Sequence, residues 1–284
     1  MNKIKKVSIV ALVLLLVGAV GSILTFKPMI QQKSISKEKV INEKFNHIKM
    51  VTDNTGVEIL PTTDSTARVS LTGKIGKGSK YHLSTDAENA TLSVRVKYEQ
   101  RSFINFFPSS LSLKVYVPKT VYESLRIEGD NGRISLSDLQ AKDINVKTDN
   151  GKIEFDNVKG TTITTQTDNG LSNLKNVKAS FVKANSDNGR IALENVEGRI
   201  FAKANNGRIS LVTHQLDQPI KFETDNGRIN IQTKKKPTNA IINASTENGR
   251  VELFDRSNRN AVFGNGEHLI KLTASNGRIT VENK

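Results

Sequence analysis

The sequence predicts an all-β fold, a single-stranded parallel β-helix (solenoid) of ~19-residue coils, with a small N-terminal β subdomain and one N-terminal transmembrane helix. Three observations carry that prediction. The first is a recurring phrase, a small or acidic residue and then Asn-Gly, usually followed by Arg and Ile. Its asparagines are Asn131, Asn150, Asn169, Asn188, Asn206, Asn226, Asn248 and Asn276, at steps of 19, 19, 19, 18, 20, 22 and 28 residues. A nearly fixed period marks one structural unit stacked on the next.

The second observation is alternation around each Asn. Six residues before it stand Leu125, Ile144, Ile163, Val182, Ile200, Ile220, Ile242 and Ile270, and two before it only small residues, from Gly129 and Thr148 to Ala274. Three and five residues after it the pattern resumes, as in Ile134 and Leu136 or Ile229 and Ile231; only Ser172 weakens it, ahead of Leu174. A period of two describes strands with one buried face.

The third observation separates two architectures. Asn-Gly between alternating strands also signals two-residue hairpins, so an antiparallel meander of Asn-Gly hairpins is the alternative. A further apolar residue, however, stands eight after the Asn in the first four repeats: Leu139, Val158, Val177 and Val196. The third corner of a closed coil wants such a residue, whereas a solvated hairpin turn does not. In a coil, equivalent residues stack about 4.8 Å apart. Glycine then serves a sharp corner at positive φ, and by parity the Asn side chains point inward as a ladder of amides.

The elements follow in chain order. Lys3, Lys5 and Lys6 precede an uncharged run over residues 7–26, long enough to span a bilayer with a cytoplasmic N-terminus. Residues 1–26 are therefore read as a signal anchor, with a cleaved signal peptide cut before Ser22 as the rival. Either reading exports the remainder, leaving a single-pass membrane protein with an extracellular C-terminal domain or a released one. Residues 27–45, rich in lysine, read as a basic juxtamembrane linker. A disguised ninth repeat surrounds Asn54, with Ile48, Met50 and Thr52 before it and Val57 and Ile59 after. With an insertion carrying strands at 67–72, 90–98 and 111–117, it makes residues 46–118 a first coil plus a β cap that covers the solenoid's end. The β-helix repeats then occupy 119–284, with loops at 214–219, 234–239 and 255–268 protruding from one corner. No separate C-terminal cap follows the last coil, so self-association through that coil is expected unless the 255–268 loop folds across it.

Two candidate binding surfaces stand out. The residue after most glycines is cationic: Arg133, Lys152, Arg190, Arg208, Arg228, Arg250 and Arg278, with Leu171 the gap. Stacked, they form a stripe suited to phosphate, hence to anionic wall polymers or phospholipid headgroups. Asp130, Asp149, Asp168, Asp187, Asp225 and Glu247 stand three residues earlier, so a self-neutralising ladder is the competing reading. Phe103, Ile104, Phe106 and Phe107 crowd one loop, either to enter a membrane or a partner's pocket or to fold back onto the cap. Of the net charge of +14, residues 1–45 supply eight Lys against two Glu, or +6, which leaves +8 for the exported part. Such a domain favours anionic surfaces, and outside the cell nucleic acid is not the expected partner.

An enzyme is not expected, nor any cofactor or metal. The chain has no Cys and no Trp, and His47, His82, His214 and His268 are scattered. The recurring carboxylates follow from the repeat rather than from a catalytic cluster.

The runs LKVYVPKTVYESLRI (113–127) and DNGRISL (130–136) resemble the "putative adhesin" family of bacterial β-strand-repeat proteins, the DUF4097 type, over about residues 46–283. With one N-terminal anchor the chain is especially similar to LiaG-like envelope-stress proteins of Gram-positive bacteria. The resemblance implies a β-helix at the outer face of the cytoplasmic membrane that binds or scaffolds envelope components. An accessory or sensor protein contacting another membrane protein is the alternative, and a polysaccharide-active enzyme stands behind both. The family supplies no catalytic residues. The third repeat, Asp168-Asn-Gly-Leu171, departs from its pattern.

Overall fold

A computed structural model describes residues 3–29, 32–76, 79–99 and 110–283. Among the described residues one helix, α1 (Lys3–Met29), precedes fourteen strands: β1 (Gln32–Ile41), β2 (His47–Thr62), β3 (Ala67–Gly76), β4 (Lys80–Glu88), β5 (Thr91–Glu99), β6 (Ser110–Pro118), β7 (Val121–Ser137), β8 (Gln140–Asp156), β9 (Lys159–Thr167), β10 (Leu171–Thr213), β11 (Ile220–Thr233), β12 (Ala240–Leu253), β13 (Asn260–Phe263) and β14 (His268–Asn283). The protein is therefore all-β behind a single apolar helix. Residues 3–23 of α1 are long and apolar enough to cross a membrane and none of that window is buried, a property that anchors and signal sequences share.

Successive repeats pair in parallel and in register. Asn54 stands opposite Asn131, and Asn131 opposite Asn150. Within the β7–β8 pair, Leu125 faces Ile144 before the Asn-Gly and Ile134 faces Ile153 after it. Both arms of a repeat thus pair with the same neighbour, which overturns the hairpin alternative: the chain does not fold back on itself at Asn-Gly. β10 even runs through two of the phrases, at Asn188 and Asn206, as one 43-residue strand.

The inward columns are buried as their period requires. Leu125, Ile144, Ile163, Val182, Ile200, Ile220, Ile242 and Ile270 belong to the core, as do Leu139, Val158, Val177 and Val196 at a second corner within the repeat. Just before that corner Asp138, Asn157, Asn176 and Asn195 adopt φ of 50–56°, a left-handed turn that Asx residues tolerate. The repeats of Asn206 and Asn226 lack this turn and carry loops there instead, whereas Asp255, seven after Asn248, keeps it at a φ of 63°. Those loops do more than protrude, because Leu216 is fully buried and Pro237 is buried, continuing the apolar column that ends at Val196.

The stack does not follow chain order at its end. β14 lies between β11 and β12, with Asn276 opposite Asn226 on one side and Asn248 on the other. The last repeat of the sequence is consequently interior, and the expected open end there is corrected: β12 is the terminal rung. β13 turns back antiparallel onto residues 240–243 of β12 and occupies that outer edge, so the final strand fills the inner position, where both its edges are paired.

At the other end β5 and β6 both lie parallel to β2, one along each arm, and form a rung without Asn-Gly. β4 covers β5, and β3 covers β6, both antiparallel. β1 pairs antiparallel with β3, so residues 32–41 are an edge strand rather than a free spacer. Ile35 and Ile41 supply its buried contacts, while Lys33, Lys37 and Lys39 are exposed along it and discourage further strand addition. Tyr122 joins cap to ladder: its ring stacks on Phe45 with centroids 5.9 Å apart, and its hydroxyl donates to the Pro118 carbonyl at 2.6 Å. Burial pushes that phenol up to about 12.

Candidate functional site: the Asn-Gly corner

The corner is built on a ladder of amides. Each Asn Nδ2 donates to the Oδ1 of its neighbour, from Asn131 to Asn54 and on through Asn150, Asn169, Asn188, Asn206 and Asn226. Asn276 then donates to Asn226 at 2.9 Å and Asn248 to Asn276 at 3.0 Å, following the spatial order rather than the chain. The ladder is exposed, not inward as parity suggested. The step from the buried position before the corner to the one after it is five positions, an odd number, so the bend reverses parity and turns the amides outward.

Glycine is required for a different reason than a positive φ. Among the corner glycines only Gly132 and Gly277 adopt it, at 129° and 155°. At the others, Gly56 apart, the neighbouring rung comes too close: a Cβ on Gly170 would sit 2.0 Å from the Gly151 carbonyl oxygen, and on Gly207 or Gly227 1.7 Å from that of the preceding corner glycine. The column of glycines therefore makes a smooth floor beside the amides. The small residues two before each Asn are explained by the same crowding, since Thr148, Thr167 and Ser186 hydroxyls lie 2.4–2.6 Å from where the glycine Cβ would be.

Cations flank this floor unevenly. Arg208 faces Arg228, Arg228 faces Arg278, and Arg278 faces Arg250, one guanidinium per rung. Gly170, Leu171, Gly189, Arg190, Gly207, Arg208, Asn226, Gly227 and Arg228 line a shallow groove of about 570 Å³. Among the described residues no ion pair engages Arg190, Arg208, Arg228, Arg278 or Arg250. In the first rungs Arg133 instead pairs with Glu154 at 3.0 Å, Lys152 pairs with the same carboxylate, and Leu171 breaks the column.

The acids of the corner form a separate column. Burial, then the neighbouring carboxylates of Asp53 and Asp149, hold the Asp130 carboxyl above its usual range. Farther along, Asn205 donates to Asp187 at 3.0 Å and interrupts the row of charge. Neither column neutralises the other by direct pairing.

Phe103, Ile104, Phe106 and Phe107 lie outside the described residues. β5 ends at Glu99 and β6 begins at Ser110, on either side of the corner at Asn54. Among the described residues no group of three or more His, Asp or Glu is arranged to hold a metal ion.

A second concave surface was not foreseen. Phe181, Ile200, Phe201, Pro219 and Leu269 line a trough of about 520 Å³, rimmed by Arg199, Lys221, Lys271 and Glu267. Lys183 and Lys221 sit over the Phe201 ring, at 6.0 and 5.3 Å from its centroid. The signal existed as two phenylalanines at outward positions of adjacent repeats. Distance in sequence hid their meeting with Leu269, which the displaced β14 brings close.

With this geometry in view the comparisons are informative. The family model described as Toastrack DUF4097 matches residues 45–282. The chain belongs to that family. Among solved structures it is similar to a "putative adhesin" of Bacteroides fragilis, with 14% identity, a TM-score of 0.53, and 89% of this chain and 97% of that one covered. A "putative adhesin" of Parabacteroides merdae also matches at 14% identity and a TM-score of 0.44, covering 88% of this chain and 96% of that one. At 14% identity the likeness to the Bacteroides fragilis protein concerns the fold alone. No curated protein matches the chain.

Proposed function

We propose that this member of the Toastrack family is a membrane-anchored, extracytoplasmic, non-enzymatic protein whose strands close into a parallel solenoid, and that it binds anionic polymers or phospholipid headgroups of the cell envelope along its arginine column. One observation carries the reading: Arg190, Arg208, Arg228, Arg278 and Arg250 line one edge, free of ion pairs among the described residues, beside a floor of glycine backbone. A buried or partnered arginine would be explained by the fold, and these are neither. Guanidinium forks match phosphate oxygens, and a linear polyanion can meet one fork per rung. The apolar α1 would hold the domain at the membrane, with Lys3, Lys5 and Lys6 at its start keeping the N-terminus inside, and an envelope-stress setting belongs to the same reading.

Retention of the intact chain on wall polymer and on anionic vesicles tests this, with and without Arg190→Gln, Arg208→Gln and Arg228→Gln combined. Loss of both retentions, with thermal stability unchanged, is the expected outcome. Unchanged retention on both would remove the reading.

The trough at Phe201 favours a second reading, an accessory that contacts an acidic segment of another membrane protein. Phe201→Ser would abolish that contact and leave polymer retention intact.

A further inference from the structure

The outer edge of β12 carries an unfilled pairing window. β14 takes one side of the strand. On the other side β13 pairs with residues 240–243, and the Arg259 carbonyl accepts from the Ala244 N–H at 2.8 Å. At the far end the Leu253 N–H donates to the Arg256 carbonyl at 2.9 Å. Between these ties, residues 245–252 have no backbone partner on that side among the described residues. Gly249 is accordingly exposed, whereas Gly189, Gly207, Gly227 and Gly277, each between two rungs, are half-buried. Asn248 ends the amide ladder as well, since its Nδ2 is spent on Asn276 while its Oδ1 receives no further amide.

We propose that this window pairs with the same window of a second copy of the chain, antiparallel about a two-fold axis passing between Asn248 and Gly249. The axis is set twice over. It is the midpoint of 245–252, the residues the flanking ties leave open. It is also the centre of a self-complementary sequence, because antiparallel pairing there puts Glu247 opposite Arg250, Ser245 opposite Glu252, and Thr246 opposite Val251. Opposite charges face each other at both symmetry-related positions, and the apolar residue meets the buried threonine on the inner face.

A head-to-tail contact has no such match. The opposite end of the stack carries two edge strands, β1, whose exposed Lys33, Lys37 and Lys39 would meet the edge that bears Arg250, and β4, whose exposed Lys80, His82, Asp86 and Glu88 do not repeat the spacing of Glu247 and Arg250. The β1 edge is thus protected by lysine, and the edge of β12 is built to meet itself. Because α1 leads into β1, the paired chains carry their N-terminal helices at the two far ends. The pair therefore lies along one membrane or bridges two.

The test uses the full chain in detergent micelles. It has no native cysteine, so single thiols report cleanly. A mixture of Glu247→Cys and Arg250→Cys chains, oxidised and run without reductant, should give the mixed disulfide several-fold over either like pair. By light scattering, Glu247→Arg should convert the assembly to monomer, and adding Arg250→Glu should restore it, with circular dichroism unchanged throughout. A wild-type monomer at every concentration would overturn the proposal. So would like pairs forming as readily as the mixed one, or an assembly insensitive to Glu247→Arg.

Discussion

The rungs of Asn131, Asn150 and Asn169 and the rungs of Asn206, Asn226, Asn276 and Asn248 share one internal plan and differ in what they show to solvent. The first group keeps a period of 19 residues, makes a second turn on a left-handed Asx residue, and has its Asn-Gly corner cations paired with Glu154 or replaced by Leu171. The second group has longer and uneven periods, loops in place of that turn after Asn206 and Asn226 while Asp255 keeps it after Asn248, and a run of unpaired arginines. Both keep the amide ladder and the glycine floor without a break. The floor is therefore what the fold demands, and the arginines above it are additional, so removing them should cost binding rather than structure.

The comparison is broken most severely through the floor. Gly227→Ala would drive a Cβ to 1.7 Å from a backbone oxygen, which no rotamer can relieve. The cost should exceed the about 1–3 kcal/mol of ordinary overpacking, and the chain should fail to fold when assayed by circular dichroism. Gly56→Ala, whose nearest neighbours would lie at 3.8 Å, should leave the melting temperature almost unchanged. An equal effect at the two sites would mean that the close approach of successive rungs is wrong.

The loops of the second group come next. Leu216 sits fully buried in the place that Val196 holds one rung earlier. Leu216→Ala should cost about 2–5 kcal/mol in denaturant unfolding, as for a core leucine, whereas a protruding loop residue would cost under about 0.5 kcal/mol. A smaller effect is expected from the ladder: Asn169→Ala removes two exposed amide bonds, and each contributes about 1 kcal/mol or less.

The smallest effect is acid-dependent and belongs to the second group alone. Burial by itself would push the Asp217 carboxyl up, but bonds from the Thr238 hydroxyl, the Asn239 and Thr238 N–H groups and Gln215 outweigh it and hold it below the usual range. A depressed carboxylate contributes stability that is present above its unfolded value, about 3.9, and that is lost as pH falls through the folded one. Melting followed from neutral pH to below 4 should therefore show a steeper acid loss for the native chain than for Asp217→Asn. Parallel curves would remove this tie between the loops at 214–219 and 234–239.

Much of this was legible because a repeat writes its constraints many times over. The inward columns, the second-corner residues and the stacking of like on like all follow from period and parity. What could not be read depended on events the period does not encode. The amides face outward because the bend reverses parity, and glycine is needed for contact between rungs more than for φ. Residues 32–41 look like a solvated linker because an edge strand with one buried face needs only Ile35 and Ile41. The insertion of β14 between β11 and β12 leaves its trace only as a 28-residue step, which a simple loop explains equally well. Of the candidate site, the arginine column was visible in the sequence. Its unpaired state was not, because whether the acids three residues earlier would meet the arginines depends on geometry at the corner.

The spatial order of the last three rungs tests the account most directly, because every statement about the terminal edge and the continuous arginine column depends on it. Thr280 lies between Asn230 and Glu252, facing each across one parallel pairing. Paired cysteines at 230 and 280, and at 280 and 252, should therefore oxidise to intramolecular disulfides rapidly and in high yield, while cysteines at 230 and 252, two rungs apart, should not. Efficient closure of the 230–252 pair, with no closure at 230–280, would place the rungs in chain order and contradict the account.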